Sequence, residues 1–282
     1  MPSQSGKAFG LMVPIITRRA QGFDAVAEEY DHLFTNSAIG RAQRESVWAE
    51  MDRVFSPGQR VLEINCGTGV DALHLAERGV RVVACDASAK MIDVARQRLH
   101  ASPHRSHVDF RVLATEDVRR LEGAVLFDGV LSNFAGLNCV ADLFSVARDL
   151  GRLVRPGGKL VLCLFGRFCL WEFVWYTLHG QFKKAMRRLG NQEVSASLAP
   201  GNCIRIHYPS VGSLRAAFAP YFRLVRWKGV GIFVPPSYLE PWAVRFARLL
   251  KVAAKFDALI AGCLGFRSLA DHVVLVLERV EG

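Results

Sequence analysis

Eleven residues, Val61-Leu-Glu-Ile-Asn-Cys-Gly-Thr-Gly-Val-Asp71, constrain this chain more than any others. An apolar run ends in an acid, crosses a glycine-rich turn and enters the amphipathic stretch Asp71-Ala-Leu-His-Leu-Ala-Glu-Arg78. That order reads as strand, tight loop and helix, the geometry that brings backbone N–H groups up to a nucleotide-like ligand. Glu63 narrows the choice of ligand, because it sets a negative charge where a dinucleotide would lay its pyrophosphate.

Two readings of the loop compete. Gly67-Thr-Gly69-Val-Asp-Ala72 fits G-x-G-x-x-[GA], and Asp86 falls about where a ribose-binding acid would sit. A pyrophosphate beside Glu63 and Asp71 would meet like charge in a poorly solvated crevice, which is costly. A ligand with an ammonium, a sulfonium and no phosphate would be attracted there; S-adenosylmethionine is one.

These residues resemble the class I S-adenosylmethionine-dependent methyltransferases. Glu63-Ile-Asn-Cys-Gly-Thr-Gly69 is similar to their first motif, E/D-x-G-x-G-x-G, and Val82-Val-Ala-Cys-Asp86-Ala-Ser88 to their second strand. Lys90-Met-Ile-Asp-Val-Ala-Arg96 resembles the helix that follows, and Thr115-Glu-Asp117 the acidic turn near adenine. Phe127-Asp-Gly-Val-Leu-Ser-Asn-Phe134 and Leu153-Val-Arg-Pro-Gly-Gly-Lys-Leu160 resemble the fourth strand and the turn into the fifth. The likeness covers roughly residues 60–165. It implies an α/β Rossmann-like fold, with a seven-stranded, mostly parallel sheet, an antiparallel last strand and helices on both faces.

Asn65 departs from the motif, standing where the family has its first glycine. Asn tolerates positive φ better than other non-glycine residues, so the turn survives the exchange. Two readings stay open: a simple substitution at a tight turn, or an amide that also touches the methionine portion of the cofactor.

Length suits one α/β domain with additions, and 51% apolar residues provide for a substantial core. A net charge of +10 makes an anionic partner worth considering. Seven scattered cysteines without a C-x-x-C pair point to a reducing compartment and no structural zinc, so no metal is assigned. The apolar patch from Phe9 to Ile16 is interrupted by Pro14 and lacks a usual cleavage site. No stretch reaches about 18 uninterrupted apolar residues, so the reading is a cytoplasmic protein without a spanning helix.

The expected order begins with two helices between Phe23 and Phe55. Strands are expected near 60–65, 81–86, 108–114, 126–132 and 159–165, with helices near 70–78, 88–100 and 138–154. Strand alternating with helix implies right-handed crossovers and a parallel sheet. A helix near 210–219, a strand near 222–230 and a last strand from His272 to Glu278 follow. The expected organisation is one methyltransferase domain over 1–282. Residues 1–58 form a helical cover, 59–165 the cofactor-binding core, and 166–208 and 232–270 two helical insertions. In the implied topology both insertions open at the carboxyl edge of the sheet, where ligands bind, so both are read as substrate cover.

In the first insertion Phe168, Trp171, Trp175, Leu178 and Phe182 recur at three and four, a helical stripe. Such a helix packs on the sheet, walls an apolar substrate or meets a membrane surface. Phe168, Trp171, Trp175 and His179 are its candidate pocket residues. In the second, Trp242, Phe246, Leu249, Phe256 and Leu259 suggest an apolar face, and Arg245, Arg248, Lys251 and Lys255 a basic one. That helix lies on an anionic bilayer or exposes its basic face to water.

The resemblance implies a cofactor set. Glu63, Asn65, Cys66, Gly67 and Gly69 surround the methionine portion, and Asp86 with Ala87 meets the ribose. Met91 packs on adenine, with Asp117 or Glu116 at its amino group. Asn133 and Phe134 face cofactor and acceptor, and Tyr30 covers the cofactor. Methyl transfer needs chiefly alignment in a dry site, with a base for some acceptors. His207, Tyr208 and His272 are the candidate bases, each with a structural role as its alternative. Apolar, aromatic insertions favour a small apolar or aromatic acceptor, lipid-like or a natural-product metabolite. Net charge alone favours a nucleic acid, but Ser132-Asn-Phe-Ala135 replaces the N/D-P-P-Y/F motif of many base-methylating enzymes. A binding-only role is the remaining alternative, since a cofactor pocket does not prove turnover. Neither the acceptor atom nor the oligomeric state is legible in the sequence.

Overall fold

A computed structural model describes residues 15–123, 125–190, 193–199 and 202–281. The patch from Phe9 to Ile16 falls almost wholly outside them, as does the start of the expected helical cover. Helices α1 (Ile15–Asp24), α2 (Ala27–Tyr30) and α3 (Ala38–Val54) lead into the sheet, with a π-helical turn over Asp31–Thr35. The core alternates β1 (Arg60–Ile64), α4 (Val70–Glu77), β2 (Arg81–Asp86), α5 (Ala89–His100), β3 (Val108–Val112), β4 (Phe127–Ser132), α6 (Leu143–Leu153) and β5 (Val154–Phe165). The first insertion holds α7 (Leu170–Leu178), α8 (Phe182–Ala185) and a hairpin of β6 (Val194–Ala199) and β7 (Asn202–Ile206). After α9 (Val211–Phe218) and β8 (Phe222–Val230), the second insertion carries α10 (Glu240–Arg245) and α11 (Ala247–Ile260). The last strand is β9 (His272–Arg279).

The seven-stranded sheet has the order β3-β2-β1-β4-β5-β9-β8, with β9 antiparallel to both its neighbours. This is the expected Rossmann-like arrangement. Consecutive side chains leave a strand on opposite faces, so each strand feeds two cores. Leu62, Ile64, Val130, Leu160 and Leu275 pack under α6 and α9 with Val146, Leu150, Leu214 and Phe218. Val61, Val82, Leu131, Val161 and Val274 pack under α3 and α4 with Val47, Met51 and Leu75. Ser88 caps α5 by accepting from the Met91 amide (3.1 Å), and Ser37 caps α3 by accepting from that of Gly40 (2.9 Å).

Three elements differ from expectation. The helix before β5 starts at Leu143, because the Asp142 carboxylate accepts from the Ser145 amide (3.0 Å) and fixes the cap there. The aromatic stripe of the first insertion does not run through one helix. Gly180, at φ 70°, ends α7 just after Leu178, leaving Leu178 79% and Phe182 64% exposed. The β6–β7 hairpin was not expected at all. Both insertions do open at the carboxyl edge, where Phe165 and Val230 each pair with His272.

Candidate functional site

The loop between β1 and α4 is built on three residues of left-handed backbone: Asn65 (φ 57°), Gly67 (54°) and Gly69 (75°). Asn65 thus occupies the conformation that suits it best among non-glycine residues. Its amide donates to Thr115 Oγ1 (2.8 Å), while its carbonyl oxygen accepts from Ser132 Oγ (3.4 Å). The side chain therefore ties the first turn to the ends of two other segments. Gly69 allows close packing, since a Cβ there would lie 2.4 Å from Phe110 Cζ.

Around this loop lies a cleft of about 690 Å³, open mouth included, within the size range of small-molecule sites. It sits between the parallel strands β1 and β4, where the order of successive strands reverses, the position at which open α/β sheets bind ligands. Of the expected cofactor residues, Tyr30, Asn65, Cys66, Gly67, Asp86, Ala87, Met91, Asn133 and Phe134 border it. Gly69 lies behind, under α5. Glu116 and Asp117 border a separate shallow depression with Arg119, Arg120, Arg148 and Asp149.

Asp86 ends β2 with Oδ2 accepting from the Gly67 amide and Oδ1 from the Ser88 amide, both at 2.9 Å. Two backbone donors hold the carboxylate at the cleft edge. Asp71, which the sequence reading counted only as added negative charge, is held by three groups. Arg44 Nη1 (2.5 Å) and Asn133 Nδ2 (2.9 Å) donate to Oδ2, and Trp48 Nε1 (2.6 Å) to Oδ1. Arg44, buried over the Phe134 ring, neutralises it. Sequence reasoning missed Arg44, Trp48 and the lining residues Phe23, Thr68 and Cys139. Thr68 lies inside the glycine-rich motif itself; no motif marks the others, and only the spacing of α3 puts Arg44 and Trp48 on one face.

Glu63 is buried, and its Oε2 has no hydrogen-bond partner within the protein. Burial, then Asp71 and Asp86, push its carboxyl well above the usual range, and Arg44 only partly opposes them. The negative charge read from sequence is therefore conditional: it is favoured when a cation approaches. Burial raises the Tyr30 hydroxyl to about 12, so it stays protonated. Phe134 (φ 46°) and Ala135 (φ 65°) are also left-handed, which for a bulky residue is strained, and they turn the Phe134 ring across the cleft.

The candidate bases separate. His272 is buried, stacks on Phe165 (4.6 Å) and meets Phe134 edge-on (5.5 Å), one ring from the cleft. Burial lowers its pKa against the pull of Asp271, so the imidazole is neutral. Tyr208 is buried on the other side of Phe165, beneath Arg188. His207 faces a different hollow, near Arg167 and Pro209, and its ring lies 3.3 Å from Glu193.

None of the expected pocket residues Phe168, Trp171, Trp175 and His179 borders the cleft. Trp171 packs on Trp242, Trp175 on His179, and Phe168 on Phe173. Beneath them Arg188 is fully engaged. Its Nε and Nη2 donate to Glu172 (2.9 Å each), Nη2 also to Asp271 Oδ1 (2.6 Å), and Nη1 to the Asp271 and Gly166 carbonyls. Among the described residues no cluster of His, Cys, Asp and Glu is arranged to hold a metal, and no helix is long and apolar enough to cross a membrane.

Residues 61–158 match the family model described as "Methyltransferase domain". The chain is 31% identical over 230 residues to a demethylmenaquinone methyltransferase of Mycobacterium sp. (strain KMS), covering 79% of this chain and 94% of that protein. It is 36% identical over 150 residues to the tRNA 5-carboxymethoxyuridine methyltransferase of Escherichia coli (strain K12). That match covers 51% of this chain, which spans only 56% of the length of that relative. Among solved structures the [4+2]-cyclase SpnF superposes with a TM-score of 0.61 at 16% identity, over 96% of this chain and 98% of that one. At that identity the likeness concerns the fold alone.

Proposed function

Because the chain belongs to the class I S-adenosylmethionine-dependent methyltransferases, we propose that it transfers a methyl group, by in-line displacement, to a small apolar or aromatic acceptor, lipid-like or a natural-product metabolite. The cofactor supplies an already activated methyl on its sulfonium. The protein's part is to bind, align and exclude water. Glu63, whose orphaned oxygen and raised pKa suit a cationic partner, serves the ammonium end. Asp86 serves the ribose, Met91 the adenine face, and Tyr30 the cover. His272, held neutral beside Phe134, is the group able to accept a proton from the acceptor.

One observation carries the choice of acceptor. Beside the residues assigned to the cofactor, the cleft is bordered by Phe23, Phe134 and Cys139, and its cation, Arg44, is committed to Asp71. Such a lining suits an uncharged ring better than a polyanion. The demethylmenaquinone relative agrees with this reading, while the tRNA relative and the +10 net charge favour the nucleic-acid reading. Methyl-labelled cofactor incubated with a reduced demethylmenaquinone, with simple phenols and with total tRNA decides between them. Label entering only the ring compounds supports the proposal; label entering only tRNA overturns it. Turnover of neither, with cofactor affinity intact, leaves the binding-only role.

A further inference from the structure

The second insertion carries two carboxylates, Glu240 and Asp257, and five cations, Arg245, Arg248, Lys251, Lys255 and Arg267. Both carboxylates turn inward. Glu240 accepts from the amides of Ala38 (2.6 Å) and Ile39 (3.0 Å), at the start of α3. Asp257 accepts from those of Ile232 (3.0 Å), Phe233 (2.6 Å) and Val234 (3.1 Å). The insertion's outward surface is left with cations and apolar side chains; the acids that border a groove with Lys251 and Lys255, Glu45 and Glu50, belong to α3.

Helix α11 shows how they are arranged. Leu250 and Asp257 are buried, with Ala253 and Ala254 packed beside them. Leu249, Val252, Phe256 and Leu259 follow one another at three, four and three, which places them on a single stripe. Yet they are 50%, 46%, 53% and 77% exposed. Arg248, Lys251 and Lys255 are exposed along one flank of that stripe. Beyond the helix, Leu264 (82%) and Phe266 (48%) continue the apolar surface.

We propose that this stripe docks the protein on an anionic lipid bilayer, its apolar side chains at the headgroup boundary and its cationic flank against the phosphates. A second copy of the chain fits poorly, because a two-fold contact would set the cationic flank near itself with no acid from this insertion to answer it. A nucleic acid would engage the flank but leave the apolar stripe in water. The proposed acceptor gives docking its purpose, but the surface is read without reference to cofactor or acceptor.

Flotation of the full chain with phosphatidylcholine vesicles, with and without phosphatidylglycerol, tests it. Binding is expected only to the anionic vesicles and should weaken as salt rises. Phe256→Ser with Leu259→Ser, and separately Lys251→Glu with Lys255→Glu, should each reduce it roughly tenfold or more while calorimetric affinity for S-adenosylmethionine is unchanged. No flotation at low salt overturns the proposal, as does flotation indifferent to both double variants. A solution dimer that the Ser variant turns into monomer assigns the stripe to self-association instead. Salt-sensitive RNA binding without flotation assigns the flank to nucleic acid. Vesicle binding without methylation of any ring compound keeps the docking and removes the proposed acceptor.

Discussion

Two groups of buried charge lie at the carboxyl edge of the sheet, and they are built differently. Around Arg188 every guanidinium nitrogen has an acceptor, and both carboxylates, Glu172 and Asp271, are paired. Burial raises Asp271, but the Arg188 guanidinium beside it and the hydrogen bonds from Arg188 and Gln43 outweigh that and hold the carboxyl below its usual range. Around Glu63 the bonding is incomplete. Arg44 meets Asp71, yet Arg44 Nε and Glu63 Oε2 are buried without partners in the protein. A closed network fixes structure, whereas the open one reaches the cleft through Arg44 and Asp71, with Glu63 itself outside the lining. Both sets were bound to be costly to bury; only the second leaves part of that cost to be met by binding.

Breaking the closed network should give the largest effect. Arg188→Met leaves Asp271 buried without its cation, while Glu172 keeps its pair with Arg187, and should cost about 3–5 kcal/mol in denaturant unfolding. A cost below about 1 kcal/mol would show that the network is not closed as described.

Glu63→Gln sharpens the contrast, because the open site should respond with opposite signs in stability and affinity. A carboxyl whose folded pKa is raised stabilises the fold below its ordinary value, and that contribution is lost as pH rises through the raised one. Without cofactor, the Gln variant should therefore melt higher than the parent at neutral pH. Its affinity for S-adenosylmethionine should fall roughly ten- to a hundredfold in calorimetry. An affinity equal to the parent's would remove Glu63 from the binding role.

His272 touches the closed network at Asp271 and the cleft's Phe134 on its other contact, and its titration gives a smaller effect. Its lowered pKa means that the unfolded chain takes up a proton near 6.5 that the folded protein resists. Stability should be full above that value and decline as pH falls through the lowered pKa. His272→Phe should flatten that decline in melts taken across the acid range; an unchanged slope would place its cause elsewhere. The smallest effect is expected at Asn65. Its amide is engaged with Thr115 and Ser132, so Asn65→Gly should cost about 1 kcal/mol of stability with cofactor affinity within about twofold. Lost binding would revive the reading in which the amide touches the cofactor.

What the sequence revealed follows from which interactions are local. The β1 loop was legible because left-handed backbone admits few residue types, and glycine and Asn announce it. Strand positions were legible because strands buried on both faces read as short continuous apolar runs bounded by turn residues. Arg44 and Trp48 were not, since their partner Asp71 lies 27 and 23 residues away in the chain. The break of the aromatic stripe was written in His179-Gly180, a helix-stop signal outweighed by the continuing three-and-four spacing. Pro200-Gly201, between β6 and β7 in sequence, was likewise a turn signal passed over. The acceptor surface stayed illegible because insertions pack through individual side chains that no short pattern specifies.

The inward turn of Glu240 has a consequence for the order in which the protein is made. The first amides of α3 are capped by a residue 202 positions later, and Gln43 donates to Asp271, 228 positions on. A ribosome therefore releases the Arg44-bearing helix with only its local Ser37 cap, long before Glu240 exists to take its first two amides. The strands and the glycine-rich loop can assemble early, but the wall that steadies Asp71 is completed only when the last tenth of the chain has emerged.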